Sequence, residues 1–163
     1  MITINQYIKL LEDFFSKHKQ INTVLSGNEF NFNAESDVVY PVANIEYVTQ
    51  NIQGEDITHQ FEITIADLFD PNVKGIEMQI FSDTNLIATD CIDWFANQYD
   101  EDYRINELNV SIQKFSNGNV DRVAGCVFIA SFTQFREANA CNIPMDGNID
   151  TGSFEPTFTS QFD

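Results

Sequence analysis

Two stretches with a two-residue hydrophobic period, residues 38–68 and 105–135, flank a segment with a helical period, and this arrangement leaves few folds open. In the first stretch Val39, Ala43, Ile45 and Tyr47 share one parity. Past a polar turn at 51–56, Phe61, Ile63 and Ile65 alternate with Glu62 and Thr64. That pattern is a hairpin with one wet face. Pro41 cannot donate to a ladder, so a strand either begins near it or lies at an edge there. In the second stretch Leu108, Val110 and Ile112 alternate with Glu107, Asn109, Ser111 and Gln113, and 116–119 is a strong turn signal. The run 123–132 is apolar on both parities, as expected of a central strand covered on both faces.

Helices are marked by a different period. Thr3 and Gln6 have capping-box spacing, and Ile4, Ile8, Leu11 and Phe15 recur at helical intervals, which predicts a helix over 4–19. A short strand is expected at 21–25, followed by a polar loop over 28–37 that carries Phe30 and Phe32. Between the hairpins, Ile80, Ile87, Cys91 and Trp94 predict a second helix, near 76 to near 98. The order is α-β-β-β-α-β-β: an α+β domain with a mainly antiparallel sheet of two hairpins and two helices packed on one face. Residues 1–136 are expected to form this single domain and 137–163 an extended C-terminal tail or arm, since that segment has Pro144, Gly147, Gly152 and Pro156 and no sustained period.

The 163 residues suffice for one domain with a sizeable core, and 43% hydrophobic content with 15 Phe argues against disorder over most of the chain. Eight Lys and Arg against 25 Asp and Glu give a formal charge of −17, which repels phosphate backbones and argues against nucleic-acid binding. Such charge keeps a surface solvated; concentrated on one face, it would also suit a passage through which DNA slides without sticking. Cys91, Cys126 and Cys141 are widely spaced, with no CxxC pair, so neither a disulfide framework nor a zinc site is indicated. No stretch approaches a membrane span and the N-terminus has no secretory pattern, which points to a soluble protein of a reducing cytoplasm.

Reactive side chains are scarce. His18, between Lys17 and Lys19, suits a helix C-terminus, and His59 at the start of a strand reads as a surface residue. Neither sits in a nucleophile elbow. Asp67 with Asp70, and Asp90 with Asp93, are the carboxylate pairs from which acid/base chemistry could be built, but among 25 acids such spacings arise from composition. The segment 146–150 opens like a calcium loop and then has Thr151 and Thr157 where glycine and glutamate belong. No phosphate-cradling glycine motif is present. No catalytic residue, cofactor or metal is therefore expected. Phe154, Phe158 and Phe162, spaced by four, could serve an arm that lays aromatic side chains into a neighbour.

The hairpin–helix–hairpin order, with residues 40–45 (Tyr-Pro-Val-Ala-Asn-Ile), 61–67 (Phe-Glu-Ile-Thr-Ile-Ala-Asp), Ser82-Asp83-Thr84 with Ile87, Asp90 and Cys91, and Phe132 to Arg136 followed by 141–144 (Cys-Asn-Ile-Pro), resembles bacteriophage tail-terminator and head-to-tail joining proteins. The pattern is most similar to neck-ring proteins of Bacteroidetes-infecting, crAss-like phages, and covers about residues 1–145. The resemblance implies a structural virion protein, not an enzyme. It would form a homo-oligomeric ring of six or twelve copies in the neck or tail, between portal-side adaptor and tail proteins. DNA would pass through without specific binding, no membrane would be involved, and assembly would occur in the host cytoplasm. The expected subunit or partner contacts are Phe30 and Phe32 in the loop, Tyr40, Pro41, Asn44 and Glu46 on the first hairpin's edge and polar face, and Phe154, Phe158 and Phe162 in the tail. Two alternatives are a small adaptor or inhibitor that captures a partner on an exposed sheet edge near Pro41, and an acid-dependent hydrolase built on the aspartate pairs.

Overall fold

The computed structural model describes residues 1–27, 38–98, 102–117 and 122–147. Their order is α1 (Ile4–Lys17), β1 (Thr23–Ser26), β2 (Val42–Gln53), β3 (Asp56–Leu68), α2 (Ile76–Ala96), β4 (Arg104–Ile105), β5 (Gln113–Asn117), β6 (Val123–Phe135) and a 3-10 turn at Ala140–Asn142. The fold is α+β, with both helices on one face of a six-stranded sheet ordered β1-β2-β3-β6-β4, and β5 beside β4 on the outer side of β6. All pairings are antiparallel except β1 with β2.

The helix starts as its sequence demands. The Gln6 N–H donates to Thr3 Oγ1 at 3.3 Å and the Thr3 N–H to Gln6 Oε1 at 2.8 Å, a reciprocal capping box. Tyr7, Leu11 and Phe15, one face of α1, are fully buried. Helix α2 buries Ile80, Ile87, Ala88, Cys91, Ile92 and Phe95.

The hairpin strands run further than their hydrophobic pattern, so the loop is only Gly54 and Glu55. Gly54 has φ +60 and no non-glycine residue among the described ones, Glu55 included, is left-handed, the pattern of a type II′ turn. Val48 is an extra residue: Tyr47 faces Phe61 and Thr49 faces Gln60. Before this bulge the odd residues of β2 face the helices; after it Gln50 and Ile52 do, opposite His59 and Ile57.

Phe132 on β6 is the centre of the core. Its ring meets Tyr7 from α1 at 5.0 Å, Phe95 from α2 at 5.2 Å, Tyr103 at 5.7 Å and Phe61 from β3 at 6.0 Å. A smaller cluster of Val42, Ala66 and Val123 lies on the other face of the sheet, with Leu25, Val38, Tyr40 and Phe115 against it.

Four expectations are corrected. The strand expected through 105–115 is broken: Ile105 faces Phe132 and Gln113 faces Val127, so residues 106–112 leave the ladder where β6 has only 128–131. The alternation there sends Val110 and Ile112 against the core, while Leu108 is 87% exposed. Strand β6 is central as expected and buried on both faces over 123–126, but from there on only its even face is buried; Val127, Ile129, Ser131 and Thr133 are half-buried. His59 is not a surface residue but 4% exposed inside β3. And of the two readings of Pro41 the edge is the one corrected: β2 does begin directly after it, at Val42, but is no edge there, because β1 pairs with Val42 to Ile45 and the Pro41 carbonyl accepts from the Asn22 and Thr23 N–H groups.

Gly125 lies mid-strand where a Cβ would meet the Ile65 carbonyl and the Ala66 backbone. Only glycine allows β3 and β6 this approach. Gly125→Ala is expected to cost about 1–3 kcal/mol by overpacking, and Phe132→Ala about 3–5 kcal/mol. Urea unfolding followed by far-UV circular dichroism checks both, and a Gly125→Ala midpoint equal to that of the parent would contradict the close approach.

Candidate functional site

The outer face of the sheet, opposite the helices, carries the polar side chains of the first hairpin. There Asn44 faces Thr64 and Glu46 faces Glu62 across the β2–β3 ladder. Asn44 is buried, while Glu46 and Glu62 are half-buried. Two carboxylates directly opposite one another disfavour the sheet that holds them. Beside Glu62 a cleft of about 370 Å³ runs over Gln60, Val127, Ile129 and Ser131, and its far wall is Asn106, Asn109, Ser111 and Gln113 from the segment that leaves the ladder.

Next to this face is an open edge. Strand β1 ends its pairing with β2 at Ile45, where the Gly27 N–H donates to the Ile45 carbonyl. From Tyr47 to Gln53 no described strand pairs with the outer side of β2. Across the sheet, the β4 and β5 edge carries two exposed cations, Arg104 and Lys114. The β2 edge is thus acidic, with Glu46, Glu55 and Asp56, while the opposite edge sets Arg104 and Lys114 among the exposed Asp102 and Glu107.

The residues expected to make contacts are distributed as follows. Tyr40 is half-buried against the small outer cluster and Pro41 is covered by β1, so both are structural parts of the sheet's first rows. Asn44 and Glu46 come together on the outer face, as expected of the hairpin's polar side. Phe30, Phe32, Phe154, Phe158 and Phe162 lie outside the described residues. Glu62, Arg104 and Lys114 were missed, since nothing local marks them: their meaning depends on strand register and on which strand is outermost.

Of the two aspartate pairs, only Asp67 is drawn into a cleft. Asp67 lines a cleft of about 310 Å³ between the sheet and α2 together with Asp83, Lys19, Gln20, Asn22 and Thr84. Asp70 is exposed and accepts the Asn72 N–H at 2.9 Å. Asp90 and Asp93 are exposed, and Asp90 Oδ2 lies 3.1 Å from His18 Nε2. Burial, with Asp83 adding repulsion, raises the Asp67 carboxyl above its ordinary range, although the Leu68 N–H donated to Oδ1 at 2.8 Å opposes the rise. The buried thiols are packing elements: burial pushes Cys126 up to about 11 and Cys91 in the same direction, and Cys126 Sγ donates to the Thr84 carbonyl at 3.3 Å.

No family model and no curated protein matches the chain. Among the described residues no helix is long and apolar enough to cross a membrane.

A carboxyl raised in the fold favours the folded state while it is protonated, and that contribution is lost as pH rises through its folded value. Asp67→Asn therefore removes a penalty felt at neutral pH. The variant is expected to melt at a higher temperature than the parent at pH 7, with the difference shrinking toward pH 3.5; an unchanged difference across that range would show that Asp67 is not the titrating group.

Proposed function

We propose that this chain is a structural ring component of a bacteriophage neck or tail, joining the portal side to the tail around the DNA channel and working by assembly. The observation that carries the reading is a pair of sheet edges with groups that can complement each other: the open, acidic β2 edge beside Glu46 and Glu62, and the exposed cations Arg104 and Lys114 on the β4–β5 edge. Such edges fit each other head to tail, not face to face. A head-to-tail contact repeated by rotation closes into a ring. Arg104 or Lys114 of one copy, placed near Glu46 and Glu62 of the next, would relieve the like-charge pair that each copy carries alone.

The net charge of −17 supports the same reading. A lumen lined by such a surface repels the DNA backbone and lets it pass without specific contacts. The resemblance of residue order to neck-ring proteins supports a place in the virion neck, with neighbours on the portal and tail sides. A small adaptor that captures one partner strand is the second reading, favoured by the open Tyr47 to Gln53 edge taken alone. On that reading the protein is a monomer with one partner.

Native mass spectrometry of the chain, alone and mixed with candidate portal-side and tail-side proteins, separates the two. A closed oligomer of six or twelve copies is expected. The double variant Arg104→Glu/Lys114→Glu is expected to weaken assembly at least tenfold, and adding Glu46→Lys/Glu62→Lys to restore it. A monomer under every condition, or assembly indifferent to these charges, would sink the ring reading.

A further inference from the structure

The end of β6 grips the chain at the entry to α1. Gln134 Oε1 accepts the Ile2 N–H at 2.8 Å, and Gln134 Nε2 donates to the Ile2 carbonyl at 2.9 Å. One side-chain amide therefore satisfies both backbone groups of a residue 132 positions away in sequence. These two bonds also decide which way round the amide lies: its oxygen must meet the N–H and its nitrogen the carbonyl.

That orientation has a consequence for His59. The same Gln134 Nε2 lies 3.3 Å from His59 Nε2. An amide nitrogen can only donate, so the imidazole Nε2 must accept, and the ring is neutral with its proton on Nδ1. His59 and Gln134 are each 4% exposed, and Nδ1 of His59 has no hydrogen-bond partner among the described residues. The groups facing the ring are Tyr7 of α1, with ring centroids at 5.3 Å, Tyr47 of β2 at 6.3 Å, and Gln50 and Phe132 by register. The titratable ones, Tyr7 and Tyr47, are phenols that stay neutral below about pH 10.

We propose that His59 and Gln134 form a protonation-sensitive latch that holds the N-terminal end of α1 on the sheet and releases it in acid. A proton added at Nε2 sets N–H against N–H at a contact that now has a donor and an acceptor. Among the described residues the buried imidazolium has no carboxylate to meet it: desolvation is the influence acting on its basicity, and it lowers it. The amide can relieve the clash by turning, and turning reverses both of its bonds to Ile2. Acid would then free residues 1–3 and unseat Ile2 from the groove that it forms with Leu10 and Tyr103. The ladders of β2, β3 and β6 need not open.

The sign follows from the depressed basicity. Neutral His59 holds the latch fully above about pH 6.5, the unfolded value, and the latch weakens as pH falls below it toward the folded value. Hydrogen exchange read by mass spectrometry on the whole protein tests this. After correction for intrinsic rates, a peptide covering residues 1–11 is expected to exchange at least tenfold faster at pH 5.0 than at pH 7.5, while peptides from β3 and β6 stay unchanged. His59→Phe keeps a ring and cannot be protonated, so it should abolish the pH dependence; Gln134→Leu should give the fast exchange at both pH values. If His59→Phe does not fold, the titration of His59 in the parent decides by nuclear magnetic resonance. A midpoint below 6.5 that coincides with loss of N-terminal protection supports the latch. A midpoint above 6.5, N-terminal protection that does not change with pH, or an acid response retained in His59→Phe would overturn it.

Discussion

The Phe132 ring is the point at which every layer of the molecule meets. It contacts one aromatic from each helix, one from the neighbouring strand and one from the approach to β4, so the position of both helices over the sheet is set by a single side chain. The contact with Tyr7 is stacked and the other three are edge-to-face, and aromatic pairs of either kind add about 0.5–1.5 kcal/mol each to the burial of the rings. The geometry also binds distant parts of the chain together: Tyr7 comes from the first helix and Phe132 from the last strand. Features as separate as the polar outer face and the grip on Ile2 inherit their geometry from it.

Element type was legible in the sequence because burial follows period. The capping box at Thr3, the helical spacing through Cys91 and the two-residue period of Phe61, Ile63 and Ile65 each correspond to the observed element. What could not be read was whatever depends on partners across the sheet. His59 has the same local surroundings as an exposed strand residue, and it is buried because it shares the parity of Phe61 and lies under Tyr7. The alternation of Val110 and Ile112 is that of a strand, yet these residues reach the core from outside the ladder. Val48 marks the same limit, since an extra residue is visible only against the strand it fails to match.

The candidate site was legible only in part for the same reason. Asn44 and Glu46 stood out as polar positions alternating with Ala43, Ile45 and Tyr47, and they do lie on the outer face. Their significance comes from Glu62 opposite and from the cations on the far edge, and neither can be inferred without register and strand order. The carboxylate pairs show the opposite route: Asp90 and Asp93 stay exposed on α2 and Asp70 is exposed beyond β3, whereas Asp67 and Asp83, on different elements, share a cleft.

The broken edge strand has an effect on how copies of this molecule can meet. A long, flat, unpaired edge invites strands to add without limit, and fibres grow that way. Here the outer side of β6 is covered by pieces of two and five residues with an outward loop between them, so no continuous ladder is offered on that side. Any neighbour must recognise side chains and the shape of the loop in addition to backbone. Contacts that demand a shape specify an angle, and a fixed angle permits an assembly to stop.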